Sequence, residues 1–311
     1  MNPEQRRAFL RKAILGAAAT QLPRWAWSNP PALQSNPFAL GVASGDPAPD
    51  GAVLWTRLAL ADPALMQAAH TVRWEVAHDV RFAQIVQKGE ATALPALGHS
   101  VHVELRGLAP GRWYHYRFML GQATSATGRT CTAPALHALP GRLRVAFASC
   151  QRWEHGHYAA WHHVCNDQPD LVLFLGDYIY EYATPKNTEG LARTHTLRYA
   201  TTLADYRDRY ALHKSDPALQ AAHAACPWAV TWDDHEVQND YAGGTNAQAD
   251  AAAFLAQRAA AWQAFYENMP LRATALAGAQ FDQLQVYRRL PWGRLAQLHL
   301  LDDRQYRALQ A

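Results

Sequence analysis

The chain has 311 residues, of which 49% are hydrophobic and 18% are charged. This balance supports buried cores and excludes a disordered chain. The first 28 residues carry five basic residues and one acidic residue, so they account for the net charge of +3 and leave the remainder at −1. The composition therefore gives no indication of nucleic acid as a partner.

Residues 1–28 have the features of a bacterial export signal. Arg6 and Arg7 are followed by Ala-Phe-Leu-Arg-Lys and a short, weakly apolar run at 13–19. The run is too short to be a permanent membrane anchor, and the paired arginines resemble a twin-arginine signal. Ala-Trp-Ser at 26–28 is a candidate cleavage site. We expect a twin-arginine signal peptide, the twin-arginine export machinery as a partner, and a periplasmic or extracellular location; the alternative is a basic N-terminal helix.

A β-rich domain is predicted to follow a short linker. Residues 29–37 contain three prolines, which disfavour regular structure. From residue 38 to residue 134, short runs of alternating apolar and polar residues predict a β-sandwich of the fibronectin type. The predicted strands cover 52–58, 72–77, 99–105 and 114–120, with a turn at 46–51 before the first of them.

The pattern changes after a second linker at 134–141, and an α/β domain is predicted for residues 141–311. Continuous apolar strands alternate there with helices, which indicates a mainly parallel sheet covered on both faces. The predicted strands are 143–149, 171–175 and 228–232, the helices are 156–166, 202–225 and 247–267, and a hairpin is predicted over 281–302. The expected fold class is therefore α/β, in two domains.

Each predicted strand of the second domain ends in polar residues. Ser-Cys-Gln ends the first at 149–151, Gly-Asp-Tyr-Ile-Tyr-Glu-Tyr follows the second at 176–182, and Trp-Asp-Asp-His-Glu-Val-Gln-Asn-Asp follows the third at 232–240. Ligands bind beyond the carboxyl ends of strands in such sheets. Several anionic donors in one crevice would repel one another without cations, so these segments predict a metal site.

Each residue of these segments also has a purely structural interpretation. A cysteine is commonly a small core residue, and an aspartate after glycine commonly stabilises a turn. The tyrosines would then be packing aromatics, and the aspartate pair a helix cap. The joint placement at successive strand ends favours a functional site.

The segments at 176–182 and 232–240 resemble those of the PhoD-like alkaline phosphatases and phosphodiesterases of the metallophosphoesterase superfamily. The resemblance extends to the Gly-Val-Ala-Ser-Gly-Asp-Pro segment at 41–47, the Gly-Ala-Val-Leu-Trp-Thr-Arg segment at 51–57, and residues 301–307. The likeness covers the chain from about Phe38 to its last residue. It implies a metal-dependent phosphoesterase.

The same resemblance implies metal ligands. By analogy, Cys150, Asp177 and Tyr180 would bind Fe(III), with Asp177 bridging to Ca(II). Asp234 would bind the second metal, and Asn239 would supply a further oxygen to the metal or to the phosphate.

The resemblance also implies a catalytic residue and a reaction. His235 would lie beside the phosphate, where it would stabilise developing charge or protonate the leaving oxygen. The implied reaction is hydrolysis of phosphate mono- or diesters by a metal-held hydroxide or oxide. Sequence alone leaves the natural substrate and the oligomeric state undetermined.

The family leads us to expect a further Gly-Asp-x-His segment after 301–307, and this sequence contains none. We therefore expect an incomplete α/β/β/α sandwich whose C-terminal part is missing and whose apolar edges are exposed. The alternative function is a catalytically incomplete fragment that acts only in metal binding or surface recognition.

Overall fold

The computed structural model describes residues 35–246, 250–276 and 281–308. The predicted signal peptide at 1–28, and most of the linker after it, lie outside the described residues. Within the described residues, no helix has the length and apolar character needed to cross a membrane.

The N-terminal part is a sandwich of two antiparallel layers. One layer contains β1 (Val42–Ala48), β2 (Gly51–Arg57) and β5 (Ser100–Glu104), and the other contains β3 (His70–Ala77), β4 (Ile85–Ala93), β6 (Trp113–Leu120), β7 (Ala123–Thr124) and β8 (Gly128–Cys131). Alternation along β3 buries Val72 and exposes Thr71 and Arg73, as a half-buried strand requires. Leu54, Tyr116 and Phe118 fill the space between the layers.

The turn predicted at 46–51 is shorter in the structure. Strand β1 continues through Asp46 and Pro47 to Ala48, and the register with β2 shifts between Gly45 and Ala48. Proline is tolerated at such a bulge because no ladder hydrogen bond is required of its nitrogen. The prediction placed the turn too early because the Pro and Asp residues read as turn residues.

The second part contains the predicted parallel strands and helices. The parallel strands are β9 (Val145–Ala148), β10 (Leu171–Leu175) and β11 (Pro227–Thr231). A short helix α1 (Pro63–Gln67) lies in the sandwich, and the helices of the second part are α2 (Ala160–Asp167), α3 (Leu203–Lys214), α4 (Pro217–Ala225) and α5 (Ala251–Asn268). Strands β12 (Arg288–Trp292) and β13 (Ala296–Leu300) form the predicted hairpin.

The helix predicted at 202–225 is two helices. Pro217 opens α4, where Asp216 caps the free N–H groups of Ala218 and Leu219.

The parallel strands have helices on one face and the hairpin on part of the other. Trp228 and Trp232 pack among the helices, whereas Leu171 and Ala229 contact Leu290 and Leu300 of the hairpin. Phe147 on the edge strand β9 is 75% exposed, and Leu175 is 46% exposed. Exposed apolar side chains therefore occur on the edge strand β9 and on its neighbour β10, and the absence of a C-terminal part stays a prediction.

One six-stranded sheet joins the two parts of the chain, which the sequence did not predict. Its strand order is β5-β2-β1-β11-β10-β9, and β1 runs parallel to β11 with Ser44 opposite Pro227 and Gly45 opposite Trp228. A Cβ atom at Gly45 would lie only 2.5 Å from the backbone oxygen of Pro270, so this close approach requires glycine. The sandwich thus shares its backbone hydrogen bonding with the sheet that carries the site.

Candidate active site

Backbone conformation brings the ends of β9 and β10 together. Cys150 and Asp177 both adopt positive φ angles, of 57° and 56°, and the N–H of Cys150 donates to the carbonyl of Gly176 at 3.1 Å. A Cβ atom at Gly176 would lie 2.3 Å from the backbone nitrogen of Asp233. The Gly-Asp pair therefore allows the turn after β11 to approach the turn after β10.

Asp177, Asp234 and His235 form a group whose ligand atoms all lie within 4.8 Å of one another. Asp177 and Asp234 are buried, and the backbone N–H of His235 donates to Asp177 Oδ1 at 3.3 Å. Burial raises the pKa of Asp177, and His235 opposes this rise while the carboxylates of Asp234 and Asp233 add to it. The group is a concentrated, partly desolvated set of metal donors.

Tyr180 and Cys150 border this group. The phenol of Tyr180 donates to Asp177 Oδ2 at 3.0 Å. Burial raises the pKa of the Cys150 thiol, Ser149 opposes this rise, and the charge of Asp177 adds to it. Burial, followed by Asp177 and Cys150, raises the pKa of the Tyr180 hydroxyl. Cys150 is exposed and lies outside the group of three.

Asn239 is the predicted ligand that the structure does not bring into the group. Its side chain is exposed, and its amide nitrogen donates to Asp240 Oδ2 at 3.0 Å. Its backbone N–H instead donates to Glu181 Oε1 at 2.9 Å. Asn239 is therefore close to the site through its backbone, and its role as a ligand stays a prediction.

Glu181 orients His235, a role that sequence reasoning missed. The Glu181 carboxylate is fully buried, and its Oε2 lies 2.7 Å from His235 Nδ1. Burial lowers the pKa of His235, but the hydrogen bond and charge of Glu181, together with the charges of Asp177 and Asp234, outweigh burial and raise the pKa overall. With Nδ1 committed to Glu181, Nε2 is the nitrogen available to a substrate.

Glu236 holds the turns together and was also missed. Its buried carboxylate accepts the backbone N–H groups of Asp177 at 3.0 Å, Tyr178 at 2.6 Å and Asp233 at 2.8 Å. The pKa of Glu236 is raised to about 8. Burial is the largest cause and the charge of Asp177 adds to it, while the three N–H donors oppose the rise. This contact fixes the spacing of Asp177 relative to Asp234.

Arg304 balances the charge of the aspartates from a distant part of the chain. Its guanidinium is buried, hydrogen-bonds to Asp233, and lies 3.2 Å from Asp234 Oδ1. Asp302 supports this loop by accepting Trp232 Nε1–H at 3.0 Å. Residues 301–307 had been linked to the family, but their sequence carried no sign that Arg304 reaches the aspartates.

The fold and site together define a class of protein. The ends of the parallel strands carry two buried carboxylates, a histidine oriented by a carboxylate, a phenol and a thiol. These features define an α/β protein with a candidate metal centre of the hydrolytic type.

The chain belongs to the PhoD-like phosphatase family. Residues 145–311 match the family described as PhoD-like phosphatase, and residues 24–134 match the PhoD-like phosphatase N-terminal domain. The resemblance inferred from sequence is confirmed.

A curated relative and a solved structure agree with this assignment. Alkaline phosphatase D of Bacillus subtilis (strain 168) is 49% identical over 288 residues, which is 90% of this chain and 49% of the relative. A solved structure of PhoD is 49% identical, superposes with a TM-score of 0.86, and is matched over 90% of this chain and 55% of its own. The chain thus spans about half the length of these relatives, and the α/β fold class is confirmed.

Proposed function

We propose that this chain is a metal-dependent phosphoesterase that hydrolyses phosphate mono- or diesters. The observation that carries the proposal is the group formed by Asp177, Asp234 and His235, with Nδ1 of His235 held by Glu181. Membership of a phosphatase family supports a phosphate ester as the substrate.

The donors fit metal ions. Two buried carboxylates near each other, with a third at Asp233, favour cations as neighbours, and Arg304 supplies only one positive charge. We infer that Cys150, Asp177 and Tyr180 hold Fe(III) and that Asp234 holds Ca(II), since thiolate, phenolate and carboxylate suit a ferric ion and oxygen donors suit calcium. Asn239 would join the calcium site through its side-chain oxygen. Such metals, when bound, supply a deprotonated water as nucleophile and positive charge for the phosphoryl oxygens.

His235 acts on the leaving oxygen in this proposal. Its ring packs against Tyr180 with 4.3 Å between ring centroids, and Glu181 Oε2 contacts its Nδ1 atom. Both contacts limit rotation of the imidazole ring, so the orientation of the Nε2–H bond is fixed. A protonated His235, which Glu181 favours, donates that proton to the departing alcohol.

Replacing His235 by glutamine tests this role through the leaving group. A general acid contributes about 10²- to 10⁴-fold, so hydrolysis of an alkyl phosphate should fall by about that factor. Hydrolysis of p-nitrophenyl phosphate should fall much less, because p-nitrophenolate departs without a proton. Steady-state kinetics with both esters is the measurement, and His163→Gln, on the exposed face of α2, is the control. Equal losses for the two esters would exclude proton donation.

Replacing Tyr180 by phenylalanine tests the ferric site without relying on activity. A phenolate bound to Fe(III) gives a visible charge-transfer band and enhanced phenolate vibrations in resonance Raman spectra. We expect iron-loaded wild type and Tyr182→Phe to show these vibrations, and Tyr180→Phe to lack them. Phenolate vibrations that persist in Tyr180→Phe would assign the ligand to another tyrosine.

We also propose that the protein is exported through the twin-arginine pathway. The support is the arrangement of residues 1–28, in particular Arg6 and Arg7 before a short apolar run. Export of a folded protein suits a site that is loaded with metal in the cytoplasm. Fractionation of the native host that recovers the protein only from the cytoplasm would contradict the proposal.

A further inference from the structure

Arg152 contacts the same two tyrosine rings as His235. Its guanidinium carbon is 5.8 Å from the ring centroid of Tyr180 and 5.5 Å from that of Tyr182. The His235 ring packs on the same two rings, with centroid distances of 4.3 Å and 5.2 Å. These distances are within the range of cation–π contacts, so the rings position the guanidinium beside the site.

The guanidinium is also held at one edge. Arg152 Nε lies 3.3 Å from Glu154 Oε2, and Glu154 is buried with its other oxygen 3.3 Å from His195 Nε2. Within the part of the chain that the structure describes, Nη1 and Nη2 of Arg152 have no hydrogen-bond partner, and the side chain is 23% exposed. A guanidinium that is held at Nε and has both NH2 groups unpaired is suited to binding an oxyanion in a bidentate way.

Other arginines near the site are already committed. Arg304 contacts the carboxylates of Asp233 and Asp234, and Arg193 pairs with Asp216 at 2.7 Å. Arg152, in contrast, forms no ion pair with any aspartate of residues 35–246 in the structure. It therefore lies beside the donor group and does not balance its charge.

We propose that Arg152 is a specificity residue that binds a second anionic group, a phosphate or carboxylate carried by the alcohol part of the substrate. This inference rests on the proposed function, with the reacting phosphate at Asp177, Asp234 and His235. Tyr180 and Tyr182 contact both Arg152 and His235, so the second anion would bind next to the reacting phosphate. Substrates with an additional anion close to the ester are thereby preferred over neutral ones.

Two matched esters test the proposal. Glycerol 3-phosphate and 3-phosphoglycerate carry the same primary phosphate ester, but the second has a carboxylate in place of a hydroxymethyl group. We expect metal-loaded wild type to prefer 3-phosphoglycerate. Arg152→Gln should raise its KM by about 10-fold, the effect of losing one charge-assisted contact, and leave kcat unchanged.

The controls separate a specific contact from a general effect of charge. Hydrolysis of glycerol 3-phosphate should be nearly unchanged in Arg152→Gln, and Arg152→Lys should keep part of the preference. Arg81→Gln removes an exposed arginine of the sandwich and should change neither KM. Equal losses for both esters would show that Arg152 contacts the reacting phosphate instead, and no loss for either would overturn the proposal.

Binding distinguishes failure of this inference from failure of the proposed function. Calorimetry of metal-loaded wild type should show tighter binding of the non-hydrolysable phosphonate analogue of 3-phosphoglycerate than of the phosphonate analogue of glycerol 3-phosphate, and Arg152→Gln should remove the difference. If this binding difference is present but neither ester is hydrolysed, the proposed function is contradicted and the anion site is supported. Equal affinities of wild type for the two analogues would refute the anion site.

Discussion

Asp177→Asn is expected to lower phosphate-ester hydrolysis by about 10³-fold or more, because a metal contributes several kcal/mol to the stabilisation of transition-state charge. Asp177 accepts from Tyr180 and His235 and lies within 4.8 Å of the donor atoms of Asp234 and His235. Asparagine keeps its shape but removes the negative charge that would hold both metals. Steady-state kinetics and metal content per chain are the measurements, and both should fall together.

The fold should survive this replacement. The backbone N–H of residue 177 still donates to Glu236 Oε2, and its φ of 56° is one that asparagine tolerates. Asp208→Asn, which removes an exposed carboxylate on α3, is the matched control and should leave activity and metal content unchanged. Normal turnover by Asp177→Asn would refute the proposed site. Metal binding by the wild type without turnover would support a non-catalytic metal-binding protein.

A chain reduced to residues 141–311 is expected not to fold. Deletion of the sandwich removes β1, the parallel partner of β11, and exposes one side of the strand that leads to Asp234. Trp55 is fully buried and donates its Nε1–H to the carbonyl of Glu267 at 2.9 Å. Loss of a buried tryptophan alone costs about 3–5 kcal/mol, against a usual domain stability of about 5–15 kcal/mol.

Polar contacts across the same interface add to this cost. Arg288 pairs with the buried carboxylate of Asp46 at 2.6 Å, and His102 Nε2 lies 3.0 Å and 2.9 Å from the carbonyls of Tyr266 and Met269. Removal of one partner of a buried ion pair costs about 3–5 kcal/mol because the other charge remains buried.

Circular dichroism and thermal melts measure the outcome. The shortened chain 141–311 should lack a cooperative transition. A chain of residues 35–311 should melt like the full chain, since every interface contact given above is retained. A cooperative transition in the shortened chain would show that the α/β part folds without the sandwich.

Secondary structure and the family could be predicted from the sequence because their signals lie in neighbouring residues. Apolar runs such as 171–175 and alternating runs such as 72–77 report burial through their periodicity, and the structure places strands at both. The segments at 176–182 and 232–240 are contiguous, so their resemblance to the family could be read without a structure. Helix ends and bulges were less accessible, as Pro217 and the Asp-Pro pair at 46–47 illustrate.

The convergence of Asp177, Asp234 and His235 followed from a rule about strand ends, but the residues that hold them did not. Glu181 and Glu236 lie inside the recognised segments, where a buried carboxylate and an exposed one have the same sequence signature. Arg304 reaches Asp234 across some seventy positions, which no local pattern reports.

The amino-acid sequence by itself determined the parallel strands, several strands of the sandwich, the helical regions, the family and the donor types, because periodicity and contiguous motifs are properties of neighbouring residues. The tertiary structure alone decided that the sandwich and the α/β part share a sheet, that Glu181 contacts Nδ1 of His235, and that Nη1 and Nη2 of Arg152 have no partner among the described residues. Those features depend on distances between residues far apart in the chain, and packing of the whole molecule sets them.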